Sequence, residues 1–228
     1  MAIVHGKAGE WARVKGTVFG LWPLFLCVFA FGFSLALTIA AERVVALCGA
    51  VLLVGSLVAA FLSLQRGLGR VERFFKGARG EERVSGILSD LPDAYHIFND
   101  FLANGKHVDH VVVGPAGVFA VETKFWRGKV TLEDDHILLD GQLPDHAPLA
   151  QALKEAALVK SELSKKGWTG AVTPVLAFAS DTFEAKIAEA KGVVILNSNH
   201  LRESFSTERV TIAPAELTRL VQLMETDI

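Results

Sequence analysis

The chain reads as an α/β protein: a mixed sheet flanked by helices, preceded by two transmembrane helices. Three observations predict it. Two apolar runs near the start meet at Glu42-Arg43. A strand–turn–strand signature, HVDHVVVGPAGVFAVETK, occupies His107 to Lys124. After it, helical and strand-like periodicities alternate, the pattern of a layered α/β fold.

With 228 residues, 51% of them hydrophobic, the chain has room for one globular domain and an appendage. From Leu21 to Leu64 the only formal charges are Glu42 and Arg43. As one straight helix that stretch would reach about 66 Å, twice the hydrocarbon thickness of a bilayer. Two antiparallel spans fit instead, Leu21–Ala41 and Val44–Leu64. A cleaved signal peptide fits poorly, because the first run starts late and a second follows at once. A buried helical hairpin of a soluble protein is the other alternative. Lys7, Arg13 and Lys15 precede the first span, and Arg66, Arg70, Arg73, Lys76 and Arg79 follow the second. The expected topology therefore has both termini and the large C-terminal part on the cytoplasmic side of the inner or plasma membrane. The expected divisions are a cytoplasmic segment at 1–20, the transmembrane hairpin at 21–64, a basic juxtamembrane linker at 65–76 and the folded domain at 77–228. Cys27 and Cys48 both fall in the spans, so nothing points to a disulfide, a zinc site or a thiol nucleophile.

Only four of the 23 Lys and Arg residues and two of the 25 acidic residues precede Gln65, which leaves the remainder net −4. Such a domain is no general polyanion binder, and any nucleic acid must meet a local patch. Arg66 to Lys76 suits a juxtamembrane helix whose cations meet anionic headgroups. Gly77-Ala78-Arg79-Gly80-Glu81-Glu82 is expected to open a helix with Val84, Ile87, Leu88 and Leu91 as its apolar stripe, stopped by Pro92. Tyr95–Phe98 reads as a strand and 99–106 as a polar connection. After the central hairpin come a second hairpin, Lys129–Leu132 with Ile137–Leu139, and a helix from Leu149 to Lys165 with Gln151 in its first turn. Val172–Ala179 and Val193–Leu196 are continuous apolar runs, as in strands buried on both faces. Phe183–Lys191 is expected to be a helical crossover between them. Short helices follow from Asn199 and from Pro214.

The central hairpin carries the chemistry. If Pro115 and Ala116 form its loop, Val113 opposes Val118, Val111 opposes Ala120, Asp109 opposes Glu122 and His107 opposes Lys124. Alternation then puts Asp109, Glu122 and Lys124 on one face. Opposed carboxylates weaken a sheet. Lys124 offsets part of the repulsion, and a divalent cation would offset more, because Mg²⁺ takes oxygen ligands. A hairpin end with three solvated charges is the plainer alternative. His110 should point to the opposite face and pack, whereas His107 shares the site face. Trp126 and Arg127 follow the site, where they could stack on a base or grip a phosphate, or simply pack.

These residues also support a resemblance. Gly77-Ala78-Arg79-Gly80-Glu81, Asp109-His110, Gly117-Val118-Phe119 and Glu122-Thr123-Lys124 with Gly128 together resemble the nuclease-related domain, NERD, of the PD-(D/E)xK nuclease superfamily. The resemblance covers Lys76 to His200. It implies a restriction-endonuclease-like sheet and a site in which Asp109, Glu122 and the Thr123 main-chain carbonyl hold Mg²⁺, or Mn²⁺. Lys124 would position water and neutralise phosphate charge, Glu81 would complete the metal site from a helix start, and Gln151 would hold water or phosphate. Two departures stand out: Ala147-Pro148 replaces the usual Asn-Pro, and position 155 is Glu, so the RecB-type Gln-x-x-x-Tyr is absent.

The expectation is a membrane-anchored, divalent-metal-dependent nuclease acting on nucleic acid, DNA ahead of RNA. The alternative is a non-catalytic, membrane-tethered module that binds nucleic acid or protein and keeps the fold. Transport through the spans is disfavoured, since they lack intramembrane charges.

Overall fold

The computed structural model describes residues 1–40, 42–183, 185–205 and 211–225. They divide into two compact units, one of Trp11–Lys76 and one of Met1–Glu10 with Gly77–Ile228. The first unit takes in nearly all of α1 (Glu10–Ala40) and residues 43–76 of α2 (Arg43–Ser89), whose last part belongs to the second unit. Both helices are long and apolar enough to be candidate membrane spans. The sequence places a fresh helix start at Gly77–Glu82, but α2 runs through it unbroken. No proline stands between Pro23 and Pro92, and the periodic residues of 66–76 carry the helix onward. Glu81 is therefore a helix-interior residue, not a first-turn one.

The second unit is a mixed seven-stranded sheet whose strands lie in the order 3–5, 96–103, 106–114, 117–124, 172–178, 193–197 and 187–190, with a separate pair at 130–133 and 136–139. Strand β1 (Ile3–His5) comes from residues expected only to lead into the first span. It pairs in parallel with β2 (His96–Ala103) through Ile3 with His96, Val4 with Ile97 and His5 with Phe98. Strand β2 extends through much of the stretch expected to be a connection. It turns into β3 (Lys106–Gly114) at Asn104-Gly105, whose φ angles of 51° and 73° are those of the two-residue Asn-Gly hairpin turn. Strand β4 (Gly117–Lys124) pairs antiparallel with β3 and parallel with β7 (Val172–Phe178). Between β4 and β7 lie β5 (Val130–Glu133), β6 (His136–Leu139) and α3 (Pro148–Lys165).

The helical crossover expected at Phe183–Lys191 is corrected by β8 (Ile187–Ala190), which pairs antiparallel with β9 (Val193–Asn197). Lys191 and Gly192 turn between them with φ of 51° and 74°, again a two-residue hairpin geometry. A 3₁₀ turn (Ser198–His200), α4 (Leu201–Phe205) and α5 (Pro214–Glu225) complete the unit.

Helices cover both sheet faces. Val84 and Leu88 of α2 pack with Ile97, Val112, Val121 and Leu196 on one side. Ala156, Val159 and Leu163 of α3 pack with Val111, Val113, Val118, Ala120 and Leu220 on the other. The adjacent β-residues 111 and 112, or 120 and 121, enter opposite layers, as period-two alternation requires. This is the mixed sheet flanked by helices that the sequence predicts.

Candidate functional site

The β3–β4 register is Gly114 with Gly117, Val113 with Val118 and Val111 with Ala120, as read from the sequence. Its ladder ends at His110 with Val121. Beyond that point β3 continues beside β2, while Glu122, Thr123 and Lys124 pair with Leu176, Ala177 and Phe178 of β7. Asp109 and Glu122 are thus not a bonded strand pair. The Asp109 carboxylate instead spans the divergence, its Oδ2 accepting the Thr123 main-chain N–H at 2.8 Å. His107 pairs with Leu102 rather than Lys124, and its Nδ1 is 3.4 Å from Asp100 Oδ1.

Lys124 Nζ pairs with Glu122 Oε1 and donates to Gln151 Oε1 at 2.9 Å. Gln151 stands in the first turn of α3 and donates from Nε2 to Glu155 Oε1 at 3.1 Å. Glu155 is a participant that the sequence motifs do not announce. The four-residue interval from Gln151, which puts both on one helix face, is the signal that could have found it.

Glu81 reaches this neighbourhood from α2 because position 80 is glycine. A Cβ there would lie 2.7 Å from Phe125 Cβ, so only glycine lets the helix come this close to the end of β4. The Glu81 carboxylate accepts the Gly9 main-chain N–H from the N-terminal segment. Asp109, Glu122, Lys124, Thr123, Gln151 and Glu81, the residues named from the sequence, are thereby brought into one region.

That region carries more negative charge than its burial tolerates. Burial, reinforced by Asp100 and Glu122, raises Glu81 to about 7. Burial, reinforced by the adjoining Glu155, pushes Glu122 up to about 8. Asp109 is raised well above the carboxylate range by burial, Glu122 and Glu81, and Glu155 is raised by burial. Glu122 Oε2 and Glu155 Oε2 are inaccessible, and the two carboxyls are hydrogen-bonded to each other, which raises Glu122 and holds Glu155 down. The oxygens of Asp109, Glu122 and the Thr123 main chain are the donor type that a hard divalent cation takes. Among the described residues no three His, Cys, Asp or Glu side chains form a ready-made metal group. A site of two carboxylates and a carbonyl does not require one.

His110 is fully buried on the other side, where its Nδ1 and Asn99 Oδ1 are 2.7 Å apart. Burial lowers it to about 3, so it is neutral and plays a packing part. Lys124 also lines an open cleft of about 350 Å³ with Trp126, Leu139, Gln142, Leu143, Pro144, Asp145 and His146.

A mixed α/β domain with an acidic, lysine-bearing site at the end of a central hairpin is nuclease-like in class. The family model described as nuclease-related domain, NERD, matches residues 76–179. The chain therefore carries a NERD domain there, which spans every site residue named above except Gly9. Comparison with curated proteins and with solved structures gave no match. The domain points to a nuclease-related function and to interaction with nucleic acid.

Proposed function

We propose that the protein is a membrane-anchored nuclease that hydrolyses phosphodiester bonds with the help of Mg²⁺ or Mn²⁺, its domain facing the cytoplasm. The observation that carries this reading is the convergence of Asp109, Glu122 and Lys124 inside the NERD match. Asp109, Glu122 and the Thr123 carbonyl would hold the cation, with Glu81 beside them. When bound, it would polarise the phosphate and acidify a water. In hydrolysis water attacks phosphorus, one bridging P–O bond breaks and the departing oxygen gains a proton. Lys124 brings a fixed positive charge to the phosphate oxygens as negative charge develops on them. Gln151 holds that ammonium in place, and the Thr123 N–H holds Asp109. The cleft beside Lys124 offers the strand a path, with Trp126 available for stacking.

Two observations support the anchoring. The candidate spans bury only 11% of their most apolar windows, whereas a core helix is mostly buried. Strand β1 precedes α1 and β2 follows α2, yet the two strands are paired. That pairing brings the residues flanking the helical pair to one sheet, which supports an even number of crossings. The basic flanks favour the cytoplasmic side.

The test is cleavage of labelled DNA and RNA by the full-length chain in detergent micelles with Mg²⁺ or Mn²⁺. Asp109→Ala and Glu122→Ala are expected to abolish cleavage while the near-ultraviolet dichroism of the fold stays unchanged. Equal cleavage by either variant overturns the reading. The second reading, a non-catalytic binding module, is favoured by the salt bridge that already occupies Glu122 Oε1. It requires nucleic-acid binding without cleavage, and binding that survives Lys124→Ala.

A further inference from the structure

We propose that the cleft beside Lys124 takes the base of an unpaired nucleotide, so that the substrate is single-stranded nucleic acid. This deepens the nuclease reading and rests on it. Trp126, Leu139, Leu143 and Pro144 supply the apolar part of the cleft wall, and Lys124 supplies its cation. That apolar part is not spare core: Leu143 is 68% exposed, and Trp126 is only partly buried. The wall is nevertheless held in place. The Trp126 ring is tilted on Phe178 with centroids 5.6 Å apart, and Ser180 Oγ donates to the Trp126 carbonyl at 2.8 Å. Leu139 and Gln142 exchange main-chain hydrogen bonds of 2.8 and 3.0 Å across a turn at Asp140-Gly141, which fixes the chain just ahead of Leu143. Asp140 Oδ1 accepts the Lys129 N–H at 2.8 Å. The Asp140 carboxylate fills the space where a Cβ on residue 128 would stand, so Gly128 of the motif is what admits it.

What such a cleft recognises follows from the surfaces it presents. An aromatic ring in the wall is matched by the flat face of a base. In a duplex those faces are covered by the neighbouring pairs, and the grooves present only base edges. In a single strand the face is free. Charge points the same way. A duplex is held chiefly through its phosphates, whereas the residues from Gln65 onward are net −4. Stacking supplies binding that this charge balance does not. A base stacked on Trp126 brings its own phosphate to Lys124, because both residues line one cleft of about 350 Å³.

The full-length chain in micelles is kept in chelator so that no strand is cut. It is mixed with fluorescein-labelled oligothymidylate, oligouridylate, or the oligothymidylate annealed to oligoadenylate, and anisotropy reports binding. A single strand should bind about tenfold or more tightly than the duplex, and the tighter of the two single strands names the substrate as DNA or RNA. Trp126→Leu keeps an apolar side chain against Phe178 but removes the ring, and should weaken single-strand binding by about tenfold. Trp126→Phe restores a ring and should recover most of that loss. Leu143→Ser, at an exposed position where folding is not at stake, should weaken binding by about threefold. Equal affinity for strand and duplex, or unchanged single-strand affinity in both Trp126→Leu and Leu143→Ser, overturns the proposal. Cleavage with Mg²⁺ or Mn²⁺ then separates the two readings. If the wild-type chain cuts duplex as fast as single strand, this inference falls and the nuclease reading stands. If it cuts neither, yet binds single strands through Trp126, the nuclease reading falls and the base site stands.

Discussion

Charge at the site is set by single side chains, and its consequences can be measured on them. Glu122 and Glu81 have folded-state pKa values near 8 and 7, against an ordinary 4.5. The folded chain thus keeps protons that the unfolded chain has lost over that interval. Stability must then fall as pH rises from about 4.5 to about 8, with no effect below it, where both states are protonated. The size is on the order of a few kcal/mol, since a tenfold difference in proton affinity between the folded and unfolded chain is worth about 1.4 kcal/mol. In chelator, the melting temperature of the full-length chain should decline across this window, and Glu122→Gln should be more stable than wild type at pH 8 but not at pH 4. A melting temperature that rises with pH through the window would mean that the carboxylates are already compensated. The same residues explain what a sequence can and cannot reveal. Asp109, Glu122 and Lys124 are legible because strand alternation places every second residue on one face. Glu155 is hidden because it breaks a motif, although the helical period puts it beside Gln151.

At the scale of elements, α2 carries two motif glycines with opposite demands. A Cβ at Gly77 meets nothing within 4 Å, whereas one at Gly80 meets Phe125 Cβ at 2.7 Å. Gly77→Ala should therefore stabilise the helix by up to about 1 kcal/mol. Gly80→Ala gains the same propensity but must push α2 from the end of β4, a strain of about 1–3 kcal/mol. The expected outcome is a higher melting temperature for Gly77→Ala and a lower one for Gly80→Ala, with cleavage reduced only in the latter because Glu81 moves. Equal behaviour of the two would remove the close-approach explanation of the motif. The element boundaries that the sequence does not reveal have physical reasons as well. The β2–β3 and β8–β9 turns depend on left-handed φ at Asn104, Gly105, Lys191 and Gly192. Asn-Gly is a signal for such a turn that the reading of 99–106 as a polar connection passes over, whereas Lys-Gly is no such signal, so the β8 stretch reads as helix. A helix start at Gly77 has two glycines and first-turn acids to recommend it, and loses to uninterrupted helical hydrogen bonding on both sides.

At the scale of the whole molecule, the notable connection is between residues ahead of the candidate spans and the sheet that follows them. Ala2 N–H donates to Ser89 O at 3.0 Å, and Ile3 N–H to Tyr95 O at 2.9 Å. The His5 ring stacks on Phe98 at 4.4 Å, and Gly9 donates to Glu81. No local pattern could have announced this, because a three-residue strand has too few residues for periodicity and its partner lies some 90 positions away. The consequence is that the folded domain does not begin after the second helix. Deleting residues 2–6 from the full chain removes the β1 ladder and the stacked ring and leaves the edge of β2 open. Each lost hydrogen bond is worth about 0.5–1.5 kcal/mol net, partly offset by the freed chain entropy, so a clear drop in melting temperature is expected. Cleavage should fall with it, since the segment that holds Gly9 against Glu81 is no longer tied to the sheet. Restoring the strand by supplying the Met1–Glu10 peptide in excess should recover part of both. An unchanged melting temperature with full cleavage would make β1 dispensable, and with it the support that its pairing lends to an even number of crossings.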